Sequence, residues 1–434
     1  MIEIISVFTS LISFFLVSNF PVNHFMMKRF SSMSFCFSEI LLINILFNCN
    51  LLLILSFFHV DLNLIFFLLV IPSIILILTF YKQYLMLFKN NIYLVTLFLI
   101  IYYSISILVI RKAHLEWDGL EHWIFKSSVY FNGGEYKDLA GLPFDYYPHL
   151  GSYLWAFFWK NSVLQLEYSG RLFFIFIFLV AIFSLNSKIK NQYSNFQKLI
   201  IIFVLSYFST NFFLFGGYQE YLIFIIFFCY SLFFVKFFLI NMNVNYKFYP
   251  ELILIFITNL ILWTKQEGFF YYIILNIIFL LHAKRDMFRK FIFTIIMTSL
   301  MLFFVYIKSL YFGSVKFNAD IINQETYKLF ELDYLFMKIF VITKYFFISF
   351  IKYPIWILII ISSVIMHIHF DYFKNNKFIL SFILLSFVFI YAVFINEPTD
   401  FSYLIPLTLD RLVFAISGFL IFLNIELFNK IKSK

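Results

Sequence analysis

Ionisable side chains are scarce in this chain, and those that could do chemistry gather in a few places. Asp118, His122 and Lys126 stand at i, i+4 and i+8, so a helix starting near Trp117 would carry a carboxylate, an imidazole and an ammonium on one face. The same helix would show Trp117, Leu120, Ile124 and Phe131 as an apolar stripe, lying on a membrane surface with its polar face upward. Glu121 follows within a turn, and His149 comes later in the same stretch. Carboxylates and imidazoles can move protons, and ammonium or guanidinium groups can hold an anion such as phosphate. Three further places carry such groups. Glu220 opens an apolar run after Gly216-Gly217-Tyr218-Gln219, Lys265 and Glu267 occupy a turn between two short apolar runs, and Asp410-Arg411 sits inside the last run.

Each has a plainer explanation. The Asp118 stretch could be an interfacial anchor with its Trp residues at headgroup level, and Glu220 a carboxylate favoured by a helix N-terminus. Lys265 and Glu267 could form a surface ion pair, and His122 and His149 could be ordinary hydrogen-bonded surface histidines. Asp410-Arg411, roughly 10 Å inside a span at about 1.5 Å per residue, is expensive in lipid, so a pocket or a partner is expected there.

The elements that must position these residues follow from composition. Of 434 residues, 63% are hydrophobic and 13% charged, and the mean hydropathy is +0.93. Soluble domains have about 45–50% apolar and about 25% charged residues, so a soluble enzyme, a disordered tail and a nucleic-acid-binding module are excluded. The fold class is an all-α, polytopic transmembrane bundle. A net charge of +9 reflects short basic blocks between apolar runs, which read as topology signals and not as a nucleic-acid surface. Cys36, Cys49 and Cys229 have no CxxC or His spacing, so no disulfide framework or zinc site is implied.

About thirteen apolar runs approach the roughly 20 residues needed to cross a bilayer. They are Ile2 to Phe20, Ser38 to Phe58, Asn63 to Phe80, Tyr93 to Ile110, Gly170 to Leu185, Leu199 to Phe215, Tyr221 to Ile240, Leu252 to Trp263, Phe269 to Leu281, Phe291 to Tyr306, Pro354 to Phe370, Phe378 to Ile395 and Tyr403 to Leu423. Basic blocks at Lys28/Arg29, Lys82/Lys89, Lys188/Lys190/Lys198, Lys247, Lys284/Arg285/Arg289/Lys290, Lys374/Lys377 and Lys430/Lys432/Lys434 fall in alternate loops. The positive-inside bias makes those loops cytoplasmic, with the amino terminus outside and the carboxyl terminus inside. Residues 1–434 form a single membrane domain: four spans over 1–110, a helical outer-face loop over 111–169, and the remaining spans over 170–434 with a second outer loop over 308–353. Every candidate above then lies on the outer side, none on the inner.

The order of these pieces resembles the GT-C superfamily of polytopic membrane glycosyltransferases. Asp118 followed by Trp123 and Lys126 is similar to the acidic start of that superfamily's first outer loop, and Tyr147-Pro148-His149 to its YP helix. Arg171-Leu172 resembles its entry to the next span, Gly217-Tyr218-Gln219-Glu220 its GYAD element, Lys265-Gln266-Glu267-Gly268 its K-x-EG element, and Asp410-Arg411-Leu412 its late DRL. Gly119 stands where a second adjacent acid is common, and Glu220 where Asp is usual.

The resemblance implies an integral protein of a bacterial plasma membrane, active on the outer face, that moves a sugar from a polyprenyl-phosphate donor to a hydroxyl of a glycan, lipid or protein acceptor. Asp118 is then the expected base, with Glu121 and Glu220 as competing or supporting carboxylates. His122, Lys126, His149, Lys265, Glu267, Asp410 and Arg411 are the expected substrate contacts. Paired acids could hold a divalent cation against the phosphate, although no ligand spacing specifies a metal site and the cofactor stays open. A lipid-linked glycan polymerase or ligase is the rival enzyme, and a flippase or transporter the rival without chemistry. The scarcity of Gly and Pro and the one-sided charges disfavour the transporter.

Overall fold

The computed structural model describes residues 2–20, 36–111, 115–190, 192–214, 216–239, 248–313, 332–396 and 401–432. The basic blocks Lys28/Arg29 and Lys247, Lys434 of the last block, and residues 314–331 of the second outer loop lie outside the described residues. The described chain is helical, with no strand among those residues.

Cα packing divides it into two units: Met1–Phe144 with His149–Ile225, and Asp145–Pro148 with Ile226–Lys434. The first unit is built around α8 (Glu167–Ser184), preceded by α1 (Ile2–Ser18), α2 (Phe37–Leu55), α3 (Leu62–Thr79), α4 (Tyr81–Asn90), α5 (Ile92–Arg111), α6 (Ile124–Phe131) and α7 (Leu150–Lys160), and followed by α9 (Asn195–Ser209) and the start of α10 (Glu220–Phe234). The apolar residues of α8 face every direction, as a helix buried on all sides requires, and they pack against α1, α2, α5 and α7. Phe14 of α1 sets its ring edge-on to Phe158 of α7 at 4.9 Å, and Phe158 packs on Phe173 of α8 at 3.9 Å. Three of the four helices read as N-terminal spans, α1, α2 and α5, therefore pack directly on the first span after the loop.

The second unit holds α11 (Tyr249–Leu262), α12 (Gly268–His282), α13 (Met287–Phe312), α14 (Leu332–Lys352), α15 (Pro354–Phe370), α16 (Tyr372–Asn375), α17 (Lys377–Asn396), α18 (Phe401–Leu420) and α19 (Phe422–Ile431). Stacked phenylalanines join them, as with Phe382 of α17 on Phe419 of α18 at 3.7 Å.

Among the described residues, eight helices are long and apolar enough to cross a membrane, or nine if the bent pair Thr408–Leu420 and Phe422–Ile431 is one span. All the runs expected as spans are helical, but α1, α9, α11, α12 and α15 are shorter apolar helices of 10–17 residues. At 15 residues, α12 is about 22 Å long, short of a hydrocarbon core of about 30 Å.

One of the eight, Asp333–Lys352, falls within the stretch read as an outer loop. Its contacts give its direction. Lys338 donates to the Ile395 carbonyl and Thr343 bonds Tyr391, so α14 runs antiparallel to α17. Tyr353 then meets Asp410, Trp356 meets Val413 and Ser362 meets Asn424. Positions rise together on both sides, so α14 and α15 descend in one direction, bending at Tyr353-Pro354, where proline is at home in the first turn of a helix.

Candidate functional site

In the first unit the Asp118 stretch opens with a π-helical turn, Gly119–Trp123, which runs into α6. Wide turns of this kind recur at functional sites because they re-aim side chains. Asp118, His122 and Lys126 do share a face, but that face points into the protein. Lys126 is fully buried, while Trp117 is 61% exposed and Leu120 48%. The surface helix with its polar face upward is therefore corrected: the apolar stripe faces outward, where lipid can take it, and the charged face is enclosed. Lys126 lies over the Trp123 ring at 5.4 Å, and His122 is held edge-on by Phe144 at 3.9 Å. Glu121 is exposed.

Gly216 to Glu220 is stitched to this turn. The Glu116 amide donates to the Gly216 carbonyl at 3.1 Å, and a Cβ on Gly119 would lie 2.4 Å from that same oxygen. Position 119 is thus a glycine because the neighbouring backbone leaves room for no side chain. Gly217 takes φ +82 and brings its backbone against the Trp155 ring, a conformation glycine adopts without strain. Glu220 follows, fully buried at the head of α10. Gly119→Ala is expected to destabilise the protein by roughly 1–3 kcal/mol through overpacking, read as a lower melting temperature in detergent, with the exposed change Glu121→Gln leaving it unmoved.

Gln219 is a residue the sequence reading passed over. It is buried against Gly151 at the start of α7, and neither polar atom of its carboxamide has a partner among the described residues. Its signal in the sequence is a polar side chain directly before Glu220 at the mouth of an apolar run.

His149 is buried, not on the surface. Its Nε2 lies 2.6 Å from Ser56 Oγ, whose own proton goes to the Leu53 carbonyl at 2.6 Å, so the imidazole donates at Nε2. Phe57 and Tyr136 pack around it, and the Tyr136 amide donates to the Ser56 carbonyl. This ties the loop to the end of α2. Beside it, burial first and then Tyr136, Tyr153 and Asp138 push the Tyr130 hydroxyl well above its ordinary range, so it stays a phenol.

In the second unit Lys265 and Glu267 pair at 3.5 Å, but Lys265 is buried, so the pair is not a surface one. The turn that carries them is tight: a Cβ on Gly268 would fall 2.0 Å from the Ile261 carbonyl. Asp410 has the partner its depth demands, an ion pair with Lys352 and a hydrogen bond from the Tyr353 hydroxyl at 2.9 Å. Arg411 is half-buried beside it.

Two acids that were not among the candidates are also enclosed. Glu39 and Glu251 are both fully buried near helix ends on the side read as cytoplasmic. Glu39 accepts from Ser187 Oγ at 2.9 Å and from the Cys36 amide at 3.0 Å. Glu251 pairs with Arg285 at 2.9 Å and Arg289 at 3.9 Å. A single acid near a span end gives no hint of such partners. Among the described residues, no group of three or more His, Cys, Asp or Glu side chains is placed to hold a metal ion.

No family model, curated protein or solved structure matches this chain.

Proposed function

We propose that the chain is a membrane glycosyltransferase of the GT-C type, transferring a sugar from a polyprenyl-phosphate donor to an acceptor hydroxyl at the outer face of a bacterial plasma membrane. The observation that carries this reading is the enclosed Asp118, His122 and Lys126 face, stitched to the backbone that delivers Glu220. An interfacial anchor would turn its charges to water and its apolar stripe into the membrane or the protein. Here the charged groups take the interior, where burying them costs free energy that a fold does not spend on anchoring.

In this reading Asp118 takes the acceptor hydroxyl proton as the oxygen bonds to the anomeric carbon. The bond from that carbon to the phosphate oxygen breaks, and polyprenyl phosphate leaves with the electron pair. Glu220 is the supporting carboxylate. Glu121, exposed, is the weaker candidate for the base. Lys265 and Arg411 are the basic side chains of the second unit suited to a phosphate, Arg for its forked geometry and Lys as a point charge. Glu267 and Asp410 hold cations in place, as their pairs with Lys265 and Lys352 suit them to do.

The test is reconstitution of the purified chain in nanodiscs with synthetic polyprenyl-phosphate pentose and hexose donors. Release of polyprenyl phosphate together with a glycosylated acceptor is the expected result. Passage of the sugar-lipid across liposomes with no bond broken would instead make the chain a flippase.

A further inference from the structure

The first unit has a polar crevice well away in sequence from Asp118. It measures about 130 Å³ and is lined by Asn90, Asn91, Asn186, Asn195 and Lys198, with Tyr93 at its side. At about 30 Å³ per water, that is room for a small headgroup and not for a large metabolite. No acid lines it.

Its donors are unspent. Asn91 gives its amide to the Leu87 carbonyl at 2.9 Å, but the Lys198 ammonium and the carboxamides of Asn90 and Asn195 have no partner among the described residues. Asn186 has its Oδ1 buried and unbonded. One ammonium, several free carboxamides and no carboxylate make a chemistry for a phosphate ester bearing hydroxyl groups.

Position decides between a soluble phosphate and a lipid. The crevice lies where α4 turns into α5, just after α8 and in the first turn of α9. Span ends lie at the level of lipid headgroups, and Tyr93 has the amphipathic ring that favours that level. The lysines nearby, Lys89, Lys188 and Lys190, belong to the blocks read as cytoplasmic, where the leaflet is anionic.

We infer that this crevice is a binding site for the phosphate headgroup of an anionic, hydroxylated phospholipid, with Lys198 holding the phosphate and the asparagine carboxamides holding the hydroxyls. The inference is independent of the proposed activity.

Native mass spectrometry of the whole detergent-solubilised chain tests it with dioleoyl phosphatidylglycerol, dioleoyl phosphatidylcholine and inorganic phosphate as probes. Phosphatidylglycerol is expected to be retained over phosphatidylcholine. Lys198→Ala should weaken retention about fivefold, the worth of one cation at an anionic surface. Asn195→Ala, at an exposed position that leaves the fold intact, should weaken it as well. Lys89→Ala, exposed and outside the crevice, should leave it unchanged. Equal losses from Lys89→Ala and Lys198→Ala would reduce the effect to general surface attraction and overturn the site. Displacement of the lipid by millimolar inorganic phosphate would overturn the lipid assignment.

Discussion

Asp118→Asn is expected to lower sugar transfer by roughly 10²- to 10⁴-fold, the usual worth of a positioned general base. The substitution keeps the size and most of the hydrogen bonding of the side chain but removes its basicity, so the enclosed face should still fold. Two readouts separate chemistry from structure. The melting temperature in detergent should stay within a few degrees of the parent, and the loss should fall on kcat with donor KM little changed, as for an interaction made only in the transition state. Glu220→Gln should cost less than Asp118→Asn. Glu121→Gln should cost little, since Glu121 faces outward. Full activity in Asp118→Asn would remove the base and with it the central assignment of the mechanism.

The apolar runs were legible because lipid leaves the backbone no choice. Every amide there must bond within its own segment, so a run of Phe, Leu and Ile longer than about 17 residues reads as a helix from composition alone. What the runs could not reveal is helix length at the ends. Two short helices flank the turn at Lys265, and they end where Gly268 must approach the Ile261 carbonyl, a constraint set in three dimensions. The i, i+4, i+8 spacing of Asp118, His122 and Lys126 was legible as a face, but spacing has no sign. Which way the face turns depends on what stands opposite, and here that is the Gly216 backbone, about a hundred residues away.

Partners across long separations were hidden for the same reason. Asp410 called for a partner by its depth, yet nothing local pointed to Lys352 and Tyr353, 58 and 57 residues earlier. The role of the first helices was equally out of reach. Ser56 is an unremarkable serine at the end of a span until His149 is seen to rest on it.

Glu251 gives the sharpest expectation for stability. Arg285 reaches it with Nε at 2.9 Å, donates through Nη2 to the Phe237 carbonyl at 3.1 Å, and lies over the Phe238 ring at 4.5 Å. The guanidinium thus ties the start of α11 to the chain just after α10 and to the end of α12. Removing one partner of a buried ion pair costs about 3–5 kcal/mol, because the remaining charge is left in a medium that cannot solvate it. Arg285→Ala should fall near 3 kcal/mol, since Arg289, at 3.9 Å, can move toward the carboxylate. Glu251→Gln should cost less than Arg285→Ala, because the amide oxygen still accepts from Arg285, and the cation it leaves unpaired is partly exposed whereas the Glu251 carboxylate is fully buried. The double change Glu251→Gln with Arg285→Ala should then be milder than Arg285→Ala alone, a sign reversal that thermal unfolding in detergent can read. Were Glu251→Gln as damaging as Arg285→Ala, loss of the charge attraction itself and not the burial of an unpaired carboxylate would set the stability of this junction.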